Sequence, residues 1–530
     1  MTNDIISKLR ADLRISIIYS MGRDYFINWT SGNKDVDELI QQSQLDAVYY
    51  YKCLEWIPFE KFENITYIAK GGFVNREWCR LVVPILWGKY PHYYMSVTEK
   101  LSNVILSCLP TSSKQLLFDN NIRLPLTNLS IPLTFNYVSF FKDLKVKTMD
   151  NIINLVFKEE ILNGFNYSKQ RNLLEQEIYK LYISQCKSIK RLEWETSQSL
   201  PSFPGALTFF SQLCNLAIDL DFVNPDHLYE MAQICKGLSE LFVYNISQDI
   251  PGLISLLDVQ RNLKNVSLDF QTKKKMCDEL FITLARKGST INDLTLYNSI
   301  GVISHSFLTS FINLKDLVID HDDDRESYEE IKEFQKHLAN SNFPNLQYLS
   351  IGIDLLSFKE LAMLIEKTKG NLSSISVYTS NKSSENTGML LKTISNHCPK
   401  IENLTTNIGS KDLIYVKSLL LNCRNLVNLS FHSLNVNEDI GDELLNILTL
   451  FSPKFLTDVT IYGDWKYSID VLEKFFESYR GRKLRFYIYH NYIGINIRIT
   501  KEHVGVVKKY YSEGIIIDSN LLDSVYYNLW

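Results

Sequence analysis

The chain has 530 residues, 45% of them hydrophobic and 22% charged, with a formal net charge of −4. Without a global basic field the composition argues against nucleic-acid or anionic-membrane partners, and no apolar run approaches the roughly 18 residues of a membrane span. Nine cysteines, an odd number at scattered spacings, do not make a secreted disulfide framework, and Met1-Thr-Asn-Asp-Ile-Ile-Ser-Lys8 lacks a signal peptide's charged-then-apolar layout, so the expected location is cytoplasmic or nuclear.

Residues 1–72 differ in character from the rest of the chain. The phrases Trp29-Thr-Ser-Gly-Asn33, Asp35-Val-Asp-Glu-Leu-Ile40 and Trp56-Ile-Pro-Phe59, then Phe62-Glu-Asn-Ile-Thr-Tyr-Ile-Ala-Lys-Gly-Gly-Phe73, resemble the lead-in and glycine-rich loop of a fungal protein kinase family over about residues 27–73. Such a loop lets backbone amides approach nucleotide phosphates. Only Gly71 and Gly72 remain of it, and no VAIK, HRD or DFG phrase occurs downstream to supply the lysine, base and metal ligand. A non-catalytic kinase-like fragment is expected, in a chain that is not an enzyme and needs no cofactor or metal.

At residue 73 the pattern changes. In Phe73-Val-Asn-Arg-Glu-Trp-Cys-Arg-Leu-Val-Val-Pro-Ile-Leu-Trp87, residues Trp78, Leu81, Val82, Ile85 and Leu86 share one helical face, although Pro84 should kink the helix. The phrase is similar to the second half of an F-box. That resemblance implies contact of Phe73, Trp78, Leu81, Val82, Ile85 and Leu86 with the Skp-type adaptor of a cullin ligase complex. The other reading of the same face is an amphipathic helix that caps a repeat array. Where an F-box would begin stands Glu60-Lys-Phe-Glu-Asn-Ile-Thr-Tyr-Ile-Ala-Lys-Gly-Gly72, whose β-branched and glycine residues suit a helix poorly. A partial F-box-like module is expected over 73–110 and a helical linker over 111–188, with helices at Glu99–Leu109, Thr148–Phe157 and Gln170–Ile183.

From Ile189 one phrase recurs, apolar-x-x-apolar-x-apolar. It reads Ile189/Leu192/Trp194, Leu213/Leu216/Ile218, Leu238/Leu241/Val243 and onward to Leu456/Val459/Ile461, with a compressed copy at Leu484/Phe486/Ile488. The twelve first anchors, 189, 213, 238, 263, 291, 314, 346, 372, 401, 426, 456 and 484, lie 23 to 32 residues apart. This is the spacing of leucine-rich repeats. Each unit holds a short strand with one buried face and an amphipathic helical stretch, and neither can bury its apolar side without a neighbour. The expected fold is an α/β leucine-rich-repeat solenoid of the ribonuclease-inhibitor kind over 189–490. Its parallel strands should line the concave face, with a small mostly helical module before it and a C-terminal cap over 491–530.

Cys186, Cys235, Cys398 and Cys423 each stand three residues before a first anchor, which resembles the cysteine-containing repeats of fungal F-box/leucine-rich-repeat proteins; the resemblance covers about residues 73–490. A small apolar thiol at the helix-to-strand turn fits packing, and no CxxC or Cys/His cluster has metal-ligand spacing. The acidic run His321-Asp-Asp-Asp-Arg-Glu326 reads as a solvated insertion followed by a helix at Ser327–Leu338.

With the first anchor as position 1, side chains at positions 3, 5 and 7 face away from the core. Position 7 reads Glu195, Asp219, Tyr244, Asp269, Tyr297, Asp320, Gly352, Tyr378, Asn407, His432 and Tyr462. Tyrosine is favoured in binding hot spots and carboxylates select basic partners. Asp219, Tyr244, Asp269, Tyr297, Asp320, Tyr378, His432 and Tyr462 are the candidate contacts for a basic protein segment. The resemblance implies a substrate receptor of a Skp-cullin-F-box ubiquitin ligase. The alternative is a repeat scaffold uncoupled from any ligase.

Overall fold

A computed structural model describes residues 95–125, 136–158, 161, 167–271, 276–321, 328–353, 357–379, 386–434, 439–489 and 499–522. The kinase-like phrases, the six adaptor-contact candidates from Phe73 to Leu86 and the run after His321 lie outside these residues. The chain divides into two compact units, Met1–Ile189 and Lys190–Trp530.

The first unit is helical where described. Helices Met95–Ser107, Thr111–Asp119, Val146–Val156 and Ser168–Gln185 are joined by a 3₁₀ turn at Tyr137–Phe140 and a two-residue strand, β1, Asp143–Leu144. Pro110 separates the first two helices because its ring disfavours helical backbone in the residue before it. Leu106, Val138, Phe141, Ile152, Ile178 and Tyr182 are buried, and the rings of Phe141 and Tyr182 meet edge to face at 5.4 Å.

The second unit is one parallel sheet in chain order: β2 Arg191–Trp194, β3 Asn215–Asp219, β4 Glu240–Ile246, β5 Asn265–Phe270, β6 Asp293–Tyr297 and β7 Asp316–His321. It continues with β8 Tyr348–Ile353, β9 Ser374–Tyr378, β10 Asn403–Ile408, β11 Asn428–Ser433, β12 Asp458–Tyr462, β13 Leu484–Tyr489 and β14 Ile516–Asp518. From β2 to β13 each strand pairs with the next so that Leu192, Leu216, Leu241, Val266, Leu294 and Leu317 form one row, continued by Leu349, Ile375, Leu404, Leu429, Val459 and Phe486; the register shifts after Val243, between β4 and β5, and between β13 and β14. The repeat phrase is thus the register of the sheet. A one-residue slip would turn every anchor to the wrong face.

Helices pack successively on one side only, from Ala206–Ser211 to Lys501–Ser512. In the short unit between anchors Ile291 and Leu314 a 3₁₀ segment, His305–Ser310, replaces the α-helix. Helices about 10 Å across set against strands about 4.8 Å apart bend such an array toward its strands, which is the leucine-rich-repeat solenoid. One carbonyl per repeat locks the entry to the next strand. Ser239 O accepts from the amides of Lys264 and Asn265, Lys264 O from Asn292 and Asp293, and Asn292 O from Lys315 and Asp316, a pattern that runs on to Val427 O.

The cysteine position has a direct physical reading. Cys398 and Cys423 are buried, and the Cys423 thiol points at the Cys398 carbonyl one repeat back, 3.8 Å away. In the unit anchored by Leu263 this position holds Gln260, whose buried amide donates to Cys235 O at 2.8 Å and to Leu256 O at 2.9 Å while accepting from the Leu238 amide at 3.0 Å. Thiol and carboxamide do the same work: each hands a donor to the equivalent carbonyl of the preceding repeat.

Candidate functional site on the inner sheet face

Alternation in the strands decides what reaches the inner face. In β3, β5 and β7 the apolar residues at positions 4 and 6 are buried and those at 3, 5 and 7 are partly open. Position 5 is mostly small: Ser267, Thr295, Ser350, Ser376, Thr405, Ser430 and Thr460. Longer side chains at positions 3 and 7 stand on either side of this floor.

Register brings the predicted position-7 residues together. Asp219 lies opposite Tyr244, Asp269 opposite Tyr297, Tyr297 opposite Asp320, and Asp320 opposite Gly352. Tyr244 and Asp269 come directly after the Val243–Leu268 pair, just where the register of β4 against β5 slips. Tyr244, Tyr297 and Tyr378 are 37–38% exposed, enough to offer ring and hydroxyl to a partner.

Two residues absent from the sequence-based set hold this column in place. Asn245 and Asn298 come after Tyr244 and Tyr297 and turn left-handed, with φ of 62° and 53°. From that turn the Asn245 amide donates to Asp219 Oδ1 at 2.8 Å and the Asn298 amide to Asp269 Oδ1 at 3.3 Å. Asparagine tolerates this backbone better than other side-chain-bearing residues. The repeated Tyr-Asn dipeptide at positions 7 and 8 was the visible signal. Burial raises the Asp269 pKa, and the Asn298 hydrogen bond opposes the shift.

At Gly352 the column has a gap that is used. A Cβ there would sit 2.5 Å from Asp320 Oδ1 and 2.6 Å from the Tyr378 hydroxyl, and across the bare glycine Tyr378 donates to Asp320 at 3.3 Å. Asn407 is turned inward: its buried amide accepts from Thr379 N at 3.0 Å and donates to Thr379 O at 3.2 Å. With Asn407 withdrawn, Tyr378 stacks on His432 at 6.1 Å, His432 on Tyr462 at 4.2 Å, and Tyr462 on Tyr489 at 5.0 Å. Tyr489, one strand past the expected column, completes this ladder. Burial lowers the His432 pKa to about 4, so the ring is neutral at neutral pH.

Charge on the face is one-sided. Between Arg191 in β2 and Arg485 in β13 no lysine or arginine occupies position 3, 5 or 7, whereas Asp219, Glu240, Asp269, Asp293, Asp316, Asp320 and Asp458 do. Asp458 is engaged by Arg485 at 3.0 Å. Asp293 is pushed up to about 6, first by burial and then by the Asp316 carboxylate beside it. Among the described residues there is no group of three or more His, Cys, Asp or Glu placed to hold a metal ion, and no helix long and apolar enough to cross a membrane. The arrangement offers hydrogen bonds, ring contacts and negative charge.

No known family profile matches the sequence, and no curated protein matches it. Among solved structures the chain is similar to one in the yeast Rad7 and Elc1 complex, with 17% identity and a TM-score of 0.38 over 67% of this chain and 92% of that one. It is also similar to one in the TLR13–ssRNA13 complex, with 11% identity and a TM-score of 0.29 over 68% of this chain and 62% of that one. The solenoid assignment rests on the register of the chain's own strands.

Proposed function

We propose that the chain is an F-box-type substrate receptor of a Skp-cullin-F-box ubiquitin ligase, whose inner sheet face holds a target protein while Phe73–Trp87 docks to the Skp-type adaptor. The observation that carries the receptor half is the column of exposed tyrosines and pinned carboxylates, bridged across Gly352 by the Tyr378–Asp320 bond and continued past Asn407 by a stacked aromatic ladder. Such a surface costs little conformational entropy on binding and selects basic segments by charge. The ligase half is supported by the likeness of Phe73–Trp87 to the end of an F-box. In this reading the chain works in the cytoplasm or nucleus, binds neither nucleic acid nor membrane, and catalyses nothing itself.

A second reading, a repeat scaffold without ligase coupling, is favoured by one feature: Gly71, Gly72 and the β-branched run before them stand where the first F-box helix belongs. Co-purification of the full chain with a Skp-type adaptor separates the two. The receptor reading expects a stable pair that is lost when Trp78, Leu81 and Ile85 become Asp. Failure of the intact chain to pair would leave the scaffold.

A further inference from the structure

The acidic part of the inner face has a spacing as well as a sign. Asp219, Asp269 and Asp320 occupy position 7 of β3, β5 and β7, alternate strands of one parallel sheet, with Tyr244 and Tyr297 between them; the β4–β5 slip after Val243 shifts residues along the strands and leaves the spacing across them. Two strand spacings are about 9.6 Å. Three residues of polyproline II helix rise about 9.3 Å and return to the same face. A chain in that conformation, laid across the strands, would therefore present every third side chain in step with this row.

The sites are prepared for cations. Asp219 and Asp269 make no ion pair among the described residues, and each is oriented by an asparagine amide from the next strand. Asp269 stands between Tyr244 and Tyr297, so a guanidinium reaching it would find a carboxylate below and an aromatic ring on each side. The floor beside the row is Ala217, Phe242, Ser267, Thr295 and Val318 at position 5, and the opposite wall carries Glu240, Asp293 and Asp316 at position 3. An extended backbone fits along this floor, between the acidic wall and the row, with Phe242 as the floor's one aromatic contact.

We infer that β3 to β7 seat an extended, polyproline-II-like segment of a partner protein that carries Arg or Lys at every third residue. The inference rests on the receptor reading of the inner face and adds the class and conformation of the target. It is tested by fluorescence anisotropy of the full chain with a labelled peptide of repeated Arg-Pro-Pro triplets, beside a peptide of identical composition with its arginines in one block. The triplet peptide should bind about tenfold more tightly. Asp269→Asn should erase that advantage, and Glu366→Gln, on the outer helical side, should not. Equal affinity for both peptides, with loss in Asp269→Asn, would overturn the three-residue period and leave the acidic receptor face standing. Binding of neither peptide, or binding indifferent to Asp269→Asn, would overturn both.

Discussion

Gln260 shows at single-residue scale how the repeats are joined. Its side chain satisfies two carbonyls and one amide inside the core, so Gln260→Ala should destabilise the chain by about 2–4 kcal/mol in a denaturant titration. Gln260→Cys should cost less, because a thiol there regains the bond that Cys423 makes to Cys398 O. Burial pushes the thiols of Cys235, Cys277, Cys398 and Cys423 up to about 12. These four should stay unlabelled by iodoacetamide at pH 8 in the folded chain and react only after unfolding; labelling at native rates would contradict the packing role. The cysteine spacing was legible because it recurs at one offset from the anchor. The glutamine was not, because a lone polar residue in a turn looks solvated until three backbone partners close on it.

At the scale of strands, the phrase of three apolar residues carried both the register and the outward column, since a parallel sheet built from like repeats has no freedom to pair them otherwise. What it did not carry was contact between strands. The Tyr378–Asp320 bond depends on Gly352 having no side chain, and the aromatic ladder depends on Asn407 turning away, both of which are decided across strands. Gly352→Val should therefore separate Tyr378 from Asp320 and weaken target binding, with the fold retained in circular dichroism.

Two titrations belong to the same strands. His432 is held down to about 4 from its ordinary 6.5, so between those values the unfolded chain binds a proton that the folded one refuses, and stability falls as pH drops through that window. His432→Phe should flatten the fall. For Asp293, held up to about 6 by burial and Asp316 and opposed by Lys315, the sign is reversed: the folded chain keeps a proton that the unfolded one has lost above 4. A basic target favours the ionised pair, so its affinity should rise with pH through about 6; an affinity flat across pH 5–7 would contradict this.

Across the whole repeat unit, stability comes from neighbour-to-neighbour contacts. Gly441 begins the helix Gly441–Phe451, and a Cβ there would run into the Lys466 carbonyl of the next repeat. Gly441→Ala should cost about 2–4 kcal/mol and loosen the β12–β14 end first in amide exchange, before the rows around β5. The repeat array was readable from its period. That the inner face binds the target is proposed from its chemistry, the exposed tyrosines and the lack of Lys or Arg at positions 3, 5 and 7 between Arg191 and Arg485. The most direct measurement of that claim compares proteins captured by the full chain with those captured by a Tyr244→Ala, Tyr297→Ala, Tyr378→Ala variant whose melting transition is preserved. Loss of the captured targets by about tenfold or more is the expected result; the same targets at the same level would show that the inner face is not where this protein binds.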